Sequence, residues 1–393
     1  MKRRLLAALC AGTLCVQLAL PALATEETAA VEIDYSRLTW ESLEERVLGG
    51  SLNAQVLQER VKVLEALDYD VMKDQLRDGL NDLADATWYM SLMGQSGTAQ
   101  NLQQVYNTQK ETYEQVRDGE MQEDNADVVW QLENGMTQIV SGAQQLYLAI
   151  LELEQTARDG QRGLVTLDRS LAELRLREKL GQVSRKVVTD LEQTRADTVS
   201  QLGTLDTNIT NLKMQLQTLM GEEANGVLTL APLPEEELDW TVLDYEDDLA
   251  RAKEESITLY TAGKTLEDAE ETWKDSRKDA KYDYEKTMAD HTYHAAQRTY
   301  EATVQSFEST FQSLYRNLEE QARLVAHKNT VVAAEQLSLA QAKLRHSLGL
   351  LAQNGVLAAQ EELESAQSAL ESAKREEFTA WNSYRLAVEH GVV

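Results

Sequence analysis

The sequence predicts an all-α protein built from tandemly duplicated, long antiparallel coiled-coil hairpins, with little or no β-strand. Three observations carry this. Apolar residues recur at alternating steps of four and three on both sides of Leu180-Gly181-Gln182-Val183-Ser184, the narrow seam of a coiled coil rather than the broad face of a globular helix. Only three prolines occur in 393 residues, and apart from Pro21 they are Pro232 and Pro234 in one short segment, so no proline breaks a helix elsewhere. The pattern is also repeated. Asp34-Tyr35, Leu38, Trp40 and Ser51 recur 205 residues later as Asp239-Trp240, Leu243, Tyr245 and Ser256, and Leu146-Tyr147, Leu176-Arg177 and Leu180-Gly181 recur 168 residues later as Leu314-Tyr315, Leu344-Arg345 and Leu348-Gly349.

Taken in order, Met1 to Ala24 reads as a secretory signal peptide. Lys2, Arg3 and Arg4 form its charged start, Leu5 to Leu20 its apolar core and Ala22-Leu23-Ala24 its cleavage site. Both cysteines, Cys10 and Cys15, lie inside it, so the exported chain has no thiol and relies on apolar seams rather than disulfides. A first helix is expected from near Thr39, with an interruption at Gly49-Gly50-Ser51, followed by a helix running from Leu52 to Tyr89. Met93 to Asp127 reads as loop, helix and loop, and accounts for the 37-residue drop between the two repeat offsets.

The first hairpin is expected at 146–221. Its ascending seam is Leu146, Ile150, Leu153, Ala157, Gly160, Leu164, Leu167, Leu171 and Leu174; the descending seam is Val188, Leu191, Thr198, Leu202, Leu205, Ile209, Leu212, Leu216 and Leu219, with Arg195 its one charge. Gly181 suits the left-handed end of the first arm and Ser184 the cap of the second. At 1.5 Å per residue each arm is about 50–60 Å long. Residues 222–238 form a linker, with Val227 to Leu230 a candidate short strand. A second repeat at 239–393 follows, its hairpin at 314–391 descending through Val356, Ala359, Leu363, Ala366, Leu370, Ala373, Ala380, Tyr384 and Ala387. The domain organisation is thus a signal peptide, a first helical repeat at 25–221, a linker and a second helical repeat.

Charge limits the partners. The chain holds 38 basic and 66 acidic residues, a net charge of −28, and loss of Lys2, Arg3 and Arg4 makes the exported chain more acidic still. Nucleic acid and anionic lipid surfaces both need a basic footprint, so neither fits. The acidic residues are spread through the chain, as on solvated helix faces. Catalysis finds no support: there is no Gly-rich phosphate loop and no nucleophile motif. His291 and His294 beside Asp290 lack a third clustered ligand and read as surface histidines. Glu44-Glu45 and Glu376-Glu377 read as solvated pairs, and Tyr147, Tyr315, Trp381 and Tyr384 as packing aromatics. No cofactor and no metal is expected.

Two duplicated hairpins turning at Leu-Gly, a proline-bearing linker and a secretory signal resemble the TolC-type outer-membrane efflux protein family. The segment Leu176-Arg177-Glu178-Lys179-Leu180-Gly181-Gln182-Val183-Ser184-Arg185-Lys186-Val187-Val188 is similar to the family's hairpin tip, Leu348-Gly349 with Val356-Leu357 to its second copy, and Leu216-Gln217-Thr218-Leu219-Met220-Gly221 to its repeat end. The resemblance implies a homotrimer whose hairpins form a helical conduit. It further implies tips that dock a periplasmic-type adaptor protein and an ABC or proton-driven transporter. The docking positions it implies are Gly181, Gln182, Val183, Ser184, Arg185, Val187 and Val188 at the first tip, and Gly349, Leu350, Asn354, Gly355 and Val356 at the second.

The chain departs from the family in two ways. The Asp usual six residues after the tip Gly is replaced by Val187 and Gly355, and the membrane β-barrel strands are not legible: Asp68 to Gln144 and Lys264 to Ser313 show no run of nine to eleven alternating residues. From Leu266 to Phe311 the second copy reads as charged helix throughout. The expected function is a component of an efflux or type I secretion assembly, exported to the cell envelope. Its place there is the outer membrane and periplasm by family resemblance, or the extracytoplasmic face of a Gram-positive-type envelope if the barrel is absent. The alternative is an exported coiled-coil protein that spaces or tethers envelope layers without a channel.

Overall fold

The helices are long because almost nothing in the sequence stops them. The structure, a computed structural model, describes residues 37–234 and 243–392; the expected signal peptide with Cys10 and Cys15, the end of the linker and the paired Asp34-Tyr35 and Asp239-Trp240 lie outside the described residues. Among the described residues there are ten helices and no strand. They are α1 Trp40–Gly50, α2 Leu52–Glu65, α3 Tyr69–Leu92, α4 Ser96–Asp118, α5 Glu120–Lys179 and α6 Arg185–Leu219, then α7 Tyr245–Glu254, α8 Ile257–Asp279, α9 Asp283–Ser347 and α10 Gln353–His390. Helices α5 and α6 pair as one antiparallel hairpin, α9 and α10 as another, and α3 with α4 and α8 with α9 pair at shorter ones.

Several starts have a local cause. Thr39 and Ser42 form a reciprocal capping box at α1. Ser51 caps α2 by accepting from the Ala54 amide, and Ser256 caps α8 by accepting from the Leu259 amide, so the two serines matched at the 205-residue offset perform the same task. Four helix ends share one termination. Gly94, Gly181, Gly221 and Gly349 all have φ between 67° and 76°. At each, the glycine amide and the next amide bond back to carbonyls three and five residues earlier, as in Gly181 to Glu178 and Gln182 to Arg177.

Several boundaries differ from the sequence expectation. The polar segment Gly119 to Asp127 is not a loop: only Gly119, at φ 85°, is a breaker, and Glu120 and Glu123 then sit in the first turn of α5, where acidic side chains favour the helix N-terminus. Helix α5 therefore has 60 residues and α9 has 65, about 90–100 Å each, well beyond the expected arm length. The helix expected from Leu52 to Tyr89 is broken at Ala66 to Asp68, because the Asp68 carboxylate accepts from the Val71 amide at 3.0 Å and starts α3. The second-copy helix expected to run to Phe311 breaks at Ala280 to Tyr282, where Glu285 reaches back to the Lys281 and Tyr282 amides. The Val227 to Leu230 segment pairs only as a single parallel bridge, Leu230 to Leu38.

Two apolar clusters hold the hairpins at the ends away from their tips. The first joins Leu38, Leu43, Val47, Tyr147, Ile150, Leu216 and Leu230; each fully buried member contributes about 1.5–3 kcal/mol. Tyr147 donates to the Ala231 carbonyl at 2.6 Å and lies 3.2 Å from the Leu38 carbonyl, tying the returning linker to the start of the described chain. The second gathers Ala252, Leu259, Phe311, Leu318, Tyr384 and Ala387, with the Tyr384 hydroxyl donating to Asp248 at 2.8 Å. Trp40 stands edge-on to both Tyr147 and Phe378 and so links α5 to α10.

Candidate docking surface at the hairpin tips

The tips are the points where each long seam runs out of partners. At the first, α5 ends at Lys179 and α6 begins at Arg185; at the second, α9 ends at Ser347 and α10 begins at Gln353. The glycine at each turn has φ 72°, and a β-carbon there would meet open space, so the turn needs glycine for its backbone and not for room. Ser184 occupies the cap position of α6, but its hydroxyl makes no capping bond; the Val187 amide bonds to the Ser184 carbonyl instead. The expected side-chain cap is therefore absent.

The twelve expected docking positions divide by burial. Gly181, Gln182, Ser184, Arg185, Val187, Gly349, Leu350 and Asn354 are exposed, and Val183 and Gly355 are half-buried. Val188 and Val356 are buried, Val188 completely. Val356 packs with Leu339, Ala342, Leu351, Ala359 and Leu363 in a small core just behind the second tip. These two valines face inward because they stand first on their descending seams, so they support the turns and offer nothing to a partner.

The sequence reading of the docking positions included the exposed Leu350 but missed four further exposed leucines at the tips. Leu176 in the last turn of α5 and Leu180 at its C-cap are exposed, as are Leu344 in the last turn of α9 and Leu348 at its C-cap. Each pair is spaced by four residues and so stacks on one helix face. The signal was present: all four lie off the heptad seam, and all four recur at the 168-residue offset. Around them the surface is charged and paired. Arg185 meets Glu178 across the first turn at 3.4 Å, Arg175 meets Glu192 at 2.8 Å, and Lys186 meets Asp190 at 2.9 Å. Arg195, the one charge on the descending seam, reaches Asp168 on the opposite arm, and that hydrogen bond holds the Asp168 carboxyl below its ordinary range.

Behind the tips the two hairpins meet along α5 and α10 through polar contacts. Asn382 donates to Gln144 at 2.9 Å, Gln155 donates to the Ser368 hydroxyl at 2.8 Å, and that hydroxyl donates to Asp159 at 2.5 Å. Nearer the tips Thr166 and Arg169 both bond to Glu361. An open groove of about 680 Å³ lies between these rungs, walled by Thr156, Gly163, Val165, Glu364, Ser365 and Ala369. Among the described residues no group of three or more His, Cys, Asp and Glu side chains is arranged for a metal ion. Asp290, beside His291 and His294, instead accepts from Trp273 at 2.7 Å and Arg277 at 2.6 Å. No helix is long and apolar enough to cross a membrane among the described residues.

No protein-family model matches the chain, and no curated protein matches it at a significant level. Solved structures do. The chain is similar to the outer membrane protein VceC from Vibrio cholerae, with a TM-score of 0.53 and 13% identity over 90% of this chain and 96% of that one. It is similar to the CmeC outer membrane channel of Campylobacter jejuni, with a TM-score of 0.52 and 10% identity over 96% and 94%. The MtrE outer membrane channel of Neisseria gonorrhoeae, in its open state, matches with a TM-score of 0.51 and 13% identity over 96% and 98%. The shared feature is the fold: a TolC-like helical architecture followed over nearly the whole of both chains.

Proposed function

We propose that this chain is a TolC-like, non-enzymatic component of a cell-envelope efflux or secretion assembly, exported by the signal peptide at 1–24. In this reading it is a tandem duplication, with repeats at 25–221 and 239–393 joined by the 222–238 linker. Three copies assemble into a helical conduit, and the hairpin tips dock an adaptor protein that couples the conduit to a transporter. The observation that carries the reading is the fold likeness to outer-membrane channels, which extends over at least 90% of this chain. The equivalent caps at Ser51 and Ser256 and the equivalent turns at Gly181 and Gly349 support the duplication. The exposed leucine pairs at both tips support docking there, since contiguous apolar surface at a helix end marks an interaction site.

The conduit proposed here is helical at both ends. The intervals that hold barrel strands in the resembled family are occupied here by α3, α4 and the start of α5, and by α8 and the first half of α9. The first experiment is the solution mass of the exported chain, purified without detergent, by light scattering. An elongated trimer supports the conduit, whereas a monomer or dimer moves the assignment to an envelope tether. The second is capture of a periplasmic-type adaptor protein by the exported chain. Val183→Asp with Val187→Asp is expected to weaken capture with unchanged helicity, and unchanged capture removes the docking role of the first tip.

A further inference from the structure

The end of the α3–α4 hairpin differs from the other surfaces among the described residues. From Ala86 to Gln109 there is no Asp, Glu, Lys, Arg or His: 24 residues, the longest uncharged run in a chain that is 26% charged. The run covers the last two turns of α3, the Gly94 turn and the first four turns of α4. At its tip Trp88, Tyr89, Leu92 and Met93 are 66%, 52%, 68% and 61% exposed. The spacing 88/92 and 89/93 places them in two adjacent rows on one helix, so they form one contiguous apolar patch. On α4, the side chains of Gln100, Asn101, Gln103, Gln104 and Val105 are exposed beside it. The turn between α8 and α9 is unlike it: Lys278, Asp279, Lys281, Asp283, Glu285 and Lys286 crowd the stacked Tyr282 and Tyr284.

We infer that the α3–α4 hairpin end is a contact surface for a second copy of this chain, so that assembly is made at this end as well as along the helical seams. The inference rests on the proposed homotrimer. Charge argues for a self-contact. Each copy carries a net charge of −28, and like charges brought together across an interface oppose association; the uncharged run is where identical copies approach at least electrostatic cost. The amide-rich face of α4 argues against hydrocarbon, where unpaired amides are costly, and suits an identical neighbour that offers the same donors and acceptors. The apolar tip supplies the surface whose burial drives the contact.

Cross-linking tests this in the full chain carrying Cys10→Ser and Cys15→Ser, so that an added thiol is the only one. With Met93→Cys, mild oxidation is expected to give covalent dimers in a yield independent of dilution. Adding Trp88→Glu and Leu92→Glu is expected to lower that yield about tenfold or more, with the circular dichroism spectrum unchanged because both sites are exposed. A chain that is trimeric by light scattering but whose Met93→Cys form stays uncross-linked overturns the inference and leaves the trimer standing. A monomeric chain overturns both. Flotation of the wild type, but not of the Glu variant, with phosphatidylcholine vesicles, at unchanged solution mass, assigns the patch to lipid and also overturns it.

Discussion

Gly50, the last residue of α1, and Gly221, just beyond α6, meet backbone to backbone: a β-carbon on Gly221 would stand 2.0 Å from the Gly50 carbonyl oxygen, and one on Gly50 would stand 1.8 Å from the Met220 carbonyl oxygen. No side-chain rotation relieves contacts with main-chain atoms. Gly221 also has φ 67°, which other residues adopt at a cost. The second copy repeats the arrangement, with Gly391 against Ser256, where an added β-carbon would lie 2.4 Å from the Ser256 backbone.

Gly50→Ala and Gly221→Ala are therefore expected to destabilise the chain by about 1–3 kcal/mol or more. Gly49→Ala is the control. Gly49 is helical and has nothing within 4 Å of an added β-carbon, so alanine there is neutral or stabilising by up to about 1 kcal/mol. Urea unfolding followed by circular dichroism measures all three, and equal midpoints for Gly49→Ala and Gly50→Ala would reject the close approach.

This contact also shows what the sequence could not convey. The seams and the tip glycines are local patterns, and local patterns are readable: Gly181 and Gly349 signal their turns through their neighbours. The serine caps were not read, since Ser184 makes no capping bond and Ser51 and Ser256, matched only as a repeat, do. Gly50 gives no such signal, because the atoms that forbid a side chain belong to Met220, 170 positions away. Helix α5 was underestimated for a related reason. Polar residues from Glu120 to Asp127 resemble a loop when periodicity is the only guide, yet they carry no breaker, and the helix propagates through them once nucleated. The inward turn of Val188 and Val356 was legible, since each stands first on its descending seam; only the family-like tip motif, which treats the aliphatic pair as one unit, placed them among the docking positions.

Tyr147 and Tyr384 predict an alkaline limit. Burial pushes both hydroxyls above the ordinary tyrosine value, and for Tyr384 the bond to the Asp248 carboxylate pushes further in the same direction. Both states are neutral below about pH 10, so the full stability is present there. Above it the unfolded chain ionises and the folded chain does not, so stability falls as pH rises toward the folded value, by up to about 1.4 kcal/mol per pH unit for each tyrosine. Tyr147→Phe with Tyr384→Phe is expected to flatten the dependence of the unfolding midpoint between pH 10 and 11.5. An unchanged slope would mean that other groups set it.

Removing the Tyr147 hydroxyl also has a cost at neutral pH. Leu38's carbonyl keeps the Ala231 amide as a donor at 2.8 Å, but the Ala231 carbonyl loses the donor that reaches it at 2.6 Å. Tyr147→Phe alone is expected to cost about 1–2 kcal/mol, and to speed hydrogen exchange at the Leu38 and Ala231 amides more than at the tips. Uniformly faster exchange would point to global loosening instead.

The rung between Gln155 and Ser368 predicts energetic coupling between the hairpins. The Gln155 amide donates to both the Ser368 hydroxyl and its carbonyl, and the hydroxyl passes the bond on to Asp159. Gln155→Ala and Ser368→Ala each break the same chain of bonds, so the double variant is expected to lose less than the sum, with a coupling of about 0.5–3 kcal/mol. Additive losses would show that this rung does not couple the hairpins.

Burial at the tips separates stability from docking. Val188→Ala and Val356→Ala remove buried methyl groups and are expected to cost about 1–3 kcal/mol. Leu180→Glu and Leu348→Glu change groups that are 63% exposed and are expected to alter stability by less than about 0.5 kcal/mol. If the tips dock an adaptor, the order reverses in a capture experiment: the two glutamates abolish capture because they place a charge in the apolar patch, while the two alanines retain it once the chain is held well below its unfolding midpoint. Capture that follows stability across all four variants would locate the partner surface away from the tips, because only the folded state, and not the leucine pairs, would then be needed.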